Sequence, residues 1–287
     1  MKACETIDDV RRSVAEARVR GESVGLVPTM GALHAGHLSL IDAARDDGGL
    51  VVVSIFVNPT QFGPTEDLAK YPRTPEADLA ACEAHGVDLV FMPQAATMYA
   101  GGGLTEVTVR QLSATLCGRR RPGHFPGVCT VVAKLFNIVQ PDRAYFGAKD
   151  YQQAVILRRM AADLNFPVRI KVCPTVREAD GLAMSSRNAY LDADQRNQAV
   201  ALIESLRLAE GMIRCSRPPA REVIAAVRSH IAGRAPAGEI DYVQAVDPVT
   251  LQDVATTDRP VLLAVAVRIG KARLIDNMLV DAGGGES

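Results

Sequence analysis

The chain has 287 residues, of which 48% are hydrophobic and 23% charged. Its 32 basic and 33 acidic side chains give a formal charge of −1, which excludes a broad nucleic-acid footprint but leaves room for a local anion site. The opening MKACETIDDVRRS has no apolar h-region and no stretch reaches spanning length. A cytoplasmic protein with no membrane or nucleic-acid partner is therefore expected. The six cysteines (Cys4, Cys82, Cys117, Cys129, Cys173, Cys215) include no CxxC pair, so reduced, mostly buried thiols are expected rather than a metal or disulfide framework.

In chain order, short β-rich runs alternate with helical patterns. Strands are expected at Ser23–Val27, Leu50–Val57, Val87–Met92, Arg143–Phe146 and Val168–Val172, and helices at Gly36–Asp47, Glu76–His85, Val128–Val139 and Tyr151–Leu164. In the third helix Val128, Val131, Val132, Leu135, Phe136 and Val139 fall on one face. This alternation implies an α/β domain built on a mostly parallel sheet with helices on both faces. Gly101–Gly103 followed by LTEVTV reads as a loop and a short alternating strand. No Gly-Lys-Ser/Thr follows it, so it is not a P-loop.

After about residue 175 the texture changes. The polar READGLAMSSRNAYL leads into two helices, near Ala193–Ile213 and Pro219–Ala232, with Asp192 and Gln195 placed to cap the first. Strands at Ile240–Val246, Pro260–Val267 and Ala272–Val280 close the chain, before a DAGGGES tail expected to be disordered. Residues 1–175 are thus expected to form the larger α/β domain and 176–287 a smaller α+β domain, with 176–191 as a hinge or lid.

The segment PTMGALHAGH leaves the first of these strands through a glycine-bearing turn and enters a helix carrying His34 and His37. Ligands bind at such strand ends in open α/β sheets. Gly31 and Gly36 let the backbone approach a ligand, and the helix amides near Gly36 are expected to face a phosphate. No acid accompanies the histidines, so their N–H groups are read as donors to phosphate oxygens and to charge developing in a transition state. The alternative is two histidines at an ordinary surface helix start.

His34-Ala35-Gly36-His37 resembles the HxGH signature of the nucleotidyltransferase superfamily, whose members attack the α-phosphate of ATP and release pyrophosphate. The longer VPTMGALHAGHLSL resembles the pantoate–β-alanine ligase family, and so do SIFVNPTQFGPTEDLAKYPRT, GHFPGV, PDRAYFGAKDYQQ and READGLAMSSRNAYL. These blocks run in the family's order through residue 191. The resemblance implies a Rossmann-like parallel-sheet nucleotidyltransferase domain followed by the smaller α+β domain. It also implies a homodimer that uses ATP, with Mg2+, to join pantoate and β-alanine through a pantoyl adenylate.

Carried over block by block, the resemblance makes His34, His37, Lys149, Ser185, Ser186 and Arg187 catalytic. It assigns ATP to Met30, Gly31, Ala32, Leu33, His34, Ala35, Gly36, His37, Gly147, Ala148, Lys149, Asp150, Val176, Met184, Ser185, Ser186 and Arg187. It gives pantoate and β-alanine to Gln61 and Gln153, with Pro28 and Met30 in an apolar cup. No residue is assigned as a direct metal ligand. The chemistry agrees: Lys149 is a mobile cation for phosphates, and Asp150 suits ribose hydroxyls or a metal's hydration shell. Arg187 offers a bidentate fork to a leaving pyrophosphate. Phe62, Val131 and Phe146 serve equally as cup or as ordinary core, with Asn58 and Tyr71 as helpers. Where the family has Gly-Glu-Lys-Asp this chain has Ala148, so nothing is carried over for that Glu. The basic CGRRRPGH reads better as a solvated turn than as a second phosphate clamp. A class I aminoacyl-tRNA synthetase fragment would need a basic RNA-binding region that this charge balance lacks, and an ATP-sensing module would not need these paired catalytic groups.

Overall fold

Residues 1–64 and 66–281 are described by the computed structural model, and they form two compact units, Met1–Ser113 with Arg121–Val176, and Ala114–Arg120 with Arg177 onward. The first unit runs β1 (Lys2–Cys4), α1 (Ile7–Val19), β2 (Val24–Thr29), α2 (Ala35–Asp46), β3 (Leu50–Ile55), α3 (Pro75–Ala84), β4 (Leu89–Phe91) and α4 (Ala95–Met98). After α5 (Leu116–Arg120), which belongs to the second unit, it resumes with α6 (His124–Val139), β5 (Arg143–Gly147), α7 (Tyr151–Asp163) and β6 (Arg169–Cys173).

The strands make one wholly parallel sheet in the order β1-β4-β3-β2-β5-β6. Val24–Val27 and Leu50–Ser54 are buried at every residue, the continuous apolar pattern of strands covered on both faces. Val27, Ile41, Val51, Val53, Val90 and Tyr145 pack one core between sheet and helices. From β2 the chain builds β3 and β4 to one side, then crosses to β5 and β6 on the other. The order reverses between β2 and β5, which pair directly at Leu26 and Ala144. A crevice opens at such a reversal, beyond the strands' carboxyl ends. The turns leaving β2 and β5, Met30–His34 and Ala148–Asp150, therefore flank it.

Three details differ from the sequence reading. The first is an extra strand and helix, β1 and α1, before the expected first strand. A three-residue edge strand is too short to show periodicity, whereas α1 announces itself by Val10, Val14 and Ala17 on its buried face and by Thr6, whose hydroxyl accepts the Asp9 N–H at 3.2 Å. The second is residues 104–109, which form no strand: the Val107 N–H donates to the Thr130 hydroxyl at 2.9 Å instead of to a ladder. The third is α5, assigned by sequence to the first domain. It groups with the second unit, where Arg120 grips Asp241 and the Arg273 guanidinium reaches Cys117 Sγ at 3.6 Å.

The second unit continues with α8 (Ala193–Ala199), α9 (Ala201–Ser216), α10 (Ala220–Arg234) and an antiparallel sheet of β7 (Gly238–Val246), β8 (Val261–Ile269) and β9 (Ala272–Val280). Leu202, Leu206 and Ile213 from α9 and Val223, Val227 and Ile231 from α10 join the buried side of that sheet in one core. The expected single helix from Ala193 is divided at Val200, and Asp192 with Gln195 forms the expected capping box. Residues 282–287 of the tail lie outside the described residues. None of the six cysteines is in a disulfide, and four of them are buried. Among the described residues no helix is long and apolar enough to cross a membrane.

Candidate active site

The turn after β2 departs sharply from ordinary backbone. Gly31 takes φ +79 and Ala32 φ +51, so two successive residues are left-handed. His34 then serves as N-cap of α2. Its Nδ1 accepts the Gly36 N–H at 3.1 Å, while His37 Nδ1 reaches back to the His34 N–H at 3.4 Å. The rings lie 4.1 Å apart between centroids. This is a capping box written in histidine. Because both Nδ1 atoms accept backbone protons, each neutral ring carries its own proton on Nε2. Burial, then the neighbouring His34, holds the His37 pKa down at about 3 against the pull of Asp150, with Lys149 adding a smaller downward push. His37 is therefore a neutral donor throughout the physiological range.

Two expectations are corrected here. The Gly36 amide, expected to face phosphate, is taken by His34. An acid also attends the turn after all: Asp78 of α3, 2% exposed, accepts the Ala32 N–H at 3.0 Å and the Leu33 N–H at 2.8 Å. Asp78 escaped the sequence reading although Cys82, four residues on, shares its inward face.

Beyond β3, Asn58 (1% exposed) organises the loop that carries Gln61. Its amide donates to Gln61 Oε1 at 3.1 Å and to the Gly127 carbonyl at 3.1 Å, and its Oδ1 accepts the Tyr99 hydroxyl at 2.7 Å. The Gln61 amide in turn donates to Met30 Sδ at 3.0 Å, which brings Gln61 beside the histidine turn. Gly127 is obligatory, since a Cβ there would meet the Thr60 carbonyl oxygen at 2.5 Å.

His124, the first residue of α6, holds the same loop from below. Its Nε2 accepts from Arg121 at 3.0 Å, so its Nδ1–H donates to the Gln61 carbonyl at 2.9 Å. Burial and the adjacent Arg121 push its pKa down to about 4. Arg121 also grips both oxygens of Glu66 at 2.6 Å. Burial opposes ionisation of Glu66, but the hydrogen bonds and charge of Arg121 outweigh it and hold that carboxyl below its ordinary value. CGRRRPGH is solvent-exposed at Arg119 and Arg120, as expected of a solvated basic turn, but Arg121 departs from that reading: it is an internal clamp, 15% exposed. Sequence reasoning missed Tyr99 and this clamp.

The turn after β5 presents Gly147, Ala148, Lys149 and Asp150, with Lys149 Nζ 3.9 Å from the Asp150 carboxylate. Both charges act on His37, and Asp150 acts on His124 as well. One turn into α7, the half-buried Gln153 makes no side-chain hydrogen bond among the described residues. Pro28, Met30 and Phe62 are half-buried, whereas Val131 (7%) and Phe146 (4%) are core. Tyr71 is buried with its ring edge-on to Phe62 at 5.9 Å.

Val176 ends the first unit, and Met184–Arg187 belong to the second. Ser185 caps a short 3-10 turn by accepting the Arg187 N–H at 3.3 Å. The surrounding segment is stapled to its own unit. Arg177 pairs with the buried Asp276 at 2.7 and 3.0 Å, and Arg196 bridges Glu178 at 2.6 Å and Asp180 at 2.8 Å. Gly181, with φ +93, sits in a closed turn whose N–H donates to the Glu178 carbonyl. Residues 177–188 are therefore a cross-braced part of the second unit rather than a loose loop.

A parallel sheet with a donor-lined crevice at its reversal point defines a Rossmann-like α/β protein of nucleotide-binding type. A family model described as pantoate-beta-alanine ligase matches residues 2–279. Pantothenate synthetases of Moorella thermoacetica and Thermotoga neapolitana are 53% and 52% identical, each alignment covering 98% of this chain and 99% and 100% of the relative. The solved pantothenate synthetase of Thermus thermophilus superimposes with a TM-score of 0.92 at 44% identity, over 97% of this chain and 99% of that one. The pantoate-beta-alanine ligase of Francisella tularensis, solved with beta-gamma ATP and beta-alanine, gives 0.81 at 34% identity over 97% of each chain. The chain belongs to the pantoate-beta-alanine ligase family, and it is an ATP-dependent ligase of pantoate and β-alanine.

Proposed function

We propose that the crevice between β2 and β5 activates the pantoate carboxylate as an adenylate. The carboxylate attacks the α-phosphorus of ATP and expels pyrophosphate. The β-alanine amine then attacks the acyl carbon and expels AMP. His34 and His37 donate Nε2–H to the α-phosphate oxygens, where negative charge builds. Lys149 follows the β- and γ-phosphates. Ser185, Ser186 and Arg187 take the departing pyrophosphate, and Met184 and Val176 bound the nucleotide. Gly147, Ala148 and Asp150 complete the nucleotide site, with Asp150 directed to the ribose. Gln61 and Gln153 orient pantoate above Pro28 and Met30. The single observation that carries this reading is the paired Nδ1 capping, which leaves each histidine with its proton on Nε2 beside the Lys149 turn.

Among the described residues no three His, Cys, Asp or Glu side chains gather to hold a metal. On the family resemblance, Mg2+ would enter as a companion of the triphosphate, supplying charge neutralisation there. To the 176–191 segment we assign the exclusion of water from the adenylate. A homodimer is the state we assign on the family resemblance, and the cytoplasm is the location we propose for this biosynthetic ligase. Pantoate labelled with oxygen-18 in its carboxylate tests the chemistry: one label is expected in AMP. Label in inorganic phosphate, with ADP formed, overturns it.

A further inference from the structure

We infer that Asp78 is a positioning residue for adenylation, acting through the backbone that carries His34 and His37; this rests on the proposed role of the two rings. Consecutive backbone N–H groups in a turn can converge into a concavity that binds anions, often phosphate. Gly31 and Ala32 form such a concavity, but its anion is internal. Asp78 Oδ2 takes the Ala32 N–H at 3.0 Å, and Oδ1 takes the Leu33 N–H at 2.8 Å and the Thr74 hydroxyl at 3.2 Å. The fit leaves no slack: a Cβ on Gly31 would lie 2.9 Å from Oδ2 and 3.0 Å from Ile55 Cγ2.

Two consequences follow from a buried carboxylate filling this site. The Ala32 and Leu33 amides are withdrawn from any phosphate, which leaves the imidazoles as this turn's donors to the α-phosphate. The unfavourable φ of Ala32 is also held by hydrogen bonds to a charge, and that backbone fixes where the His34 cap begins. Asp78 therefore sets the geometry of the His34–His37 pair without touching substrate.

Asp78→Asn tests this, because an amide keeps the size but offers one acceptor oxygen where two are used. In the folded variant, pantoate-dependent exchange of pyrophosphate into ATP is expected to lose at least tenfold in kcat, the scale set by misplacement of about 1 Å. The KM for pantoate should stay within about twofold. Nitrogen-15 NMR of the imidazoles should show His34 and His37 leaving the pure Nε2–H state. A merely structural role would lower the melting temperature and the active fraction, with wild-type ring signals in the molecules that remain folded. The inference is overturned by wild-type ring signals in Asp78→Asn, whatever its rate, or by altered signals with exchange within threefold of wild type. Should the variant not fold, Thr74→Val, which removes one donor to the carboxylate, is read the same way with a severalfold loss expected. If His34→Ala and His37→Ala retain full exchange, the functional reading fails, while the ring signals of Asp78→Asn still decide whether Asp78 positions them.

Discussion

Replacing His37 by Ala removes two things that the structure separates. One is the Nε2–H, a donor to charge developing on the α-phosphate. A preorganised donor of this kind is worth about 3 kcal/mol, or roughly a hundredfold to a thousandfold in rate. The other is Nδ1, the acceptor that closes the capping box on the His34 N–H at 3.4 Å. Loss of a helix cap costs about 1 kcal/mol of stability, and the length of this bond places it at or below that figure. His37→Ala is therefore expected to fold with a slightly lowered melting temperature and to lose at least a hundredfold in pantoate-dependent pyrophosphate exchange. His37→Gln separates the two parts. Glutamine at the third helical position can close a capping box, so stability should return while the rate does not. Thermal unfolding and exchange, measured on the same samples, decide the matter. Exchange in His37→Ala within tenfold of wild type, or a rate in His37→Gln that recovers along with stability, would falsify the donor role.

Lys149→Ala should fold normally and lose adenylation by about a hundredfold; a folded variant with near-normal turnover removes Lys149 from the chemistry. Gln153→Ala should raise the KM for pantoate while ATP binding without pantoate, followed by calorimetry, stays unchanged, and the opposite pattern would mean that Gln153 faces the nucleotide. Stability should also fall with acid. His37 and His124 are neutral in the fold, with pKa values depressed to about 3 and about 4 from the ordinary 6.5 of an imidazole. Below about pH 6.5 the unfolded chain takes up protons that the native state refuses, so the stability these rings contribute is present above that pH and is lost as pH falls toward 4. In melting curves from pH 7 to 4, His124→Gln should show a shallower decline than wild type, and an identical slope would clear His124 of that role.

Much of this protein is legible in one dimension. Continuous apolar runs such as Leu50–Ser54 declare buried parallel strands, because a strand covered on both faces has no polar side. Helices such as Tyr151–Asp163 follow from local periodicity, and Asp192 with Gln195 is a cap whose partners are three residues apart. The His34–His37 turn could be read as ligand-binding because it ends a strand in an alternating pattern, whereas the Lys149 turn needed the family resemblance to be read so. What the sequence could not supply is which distant groups answer one another. Asp78 meets the amides of Ala32 and Leu33 across more than forty residues, and His124 and Arg121 meet the Gln61 loop across about sixty. The strand order decides that β2 and β5 are neighbours, and so that histidine and lysine turns share one crevice. Local propensity acts over a few residues, whereas hydrogen-bond satisfaction of buried polar groups is settled only when the chain has closed on itself. Residues 104–109 show the same limit in reverse: their alternation suits a strand, but the Thr130 hydroxyl takes the Val107 amide that a ladder would have needed.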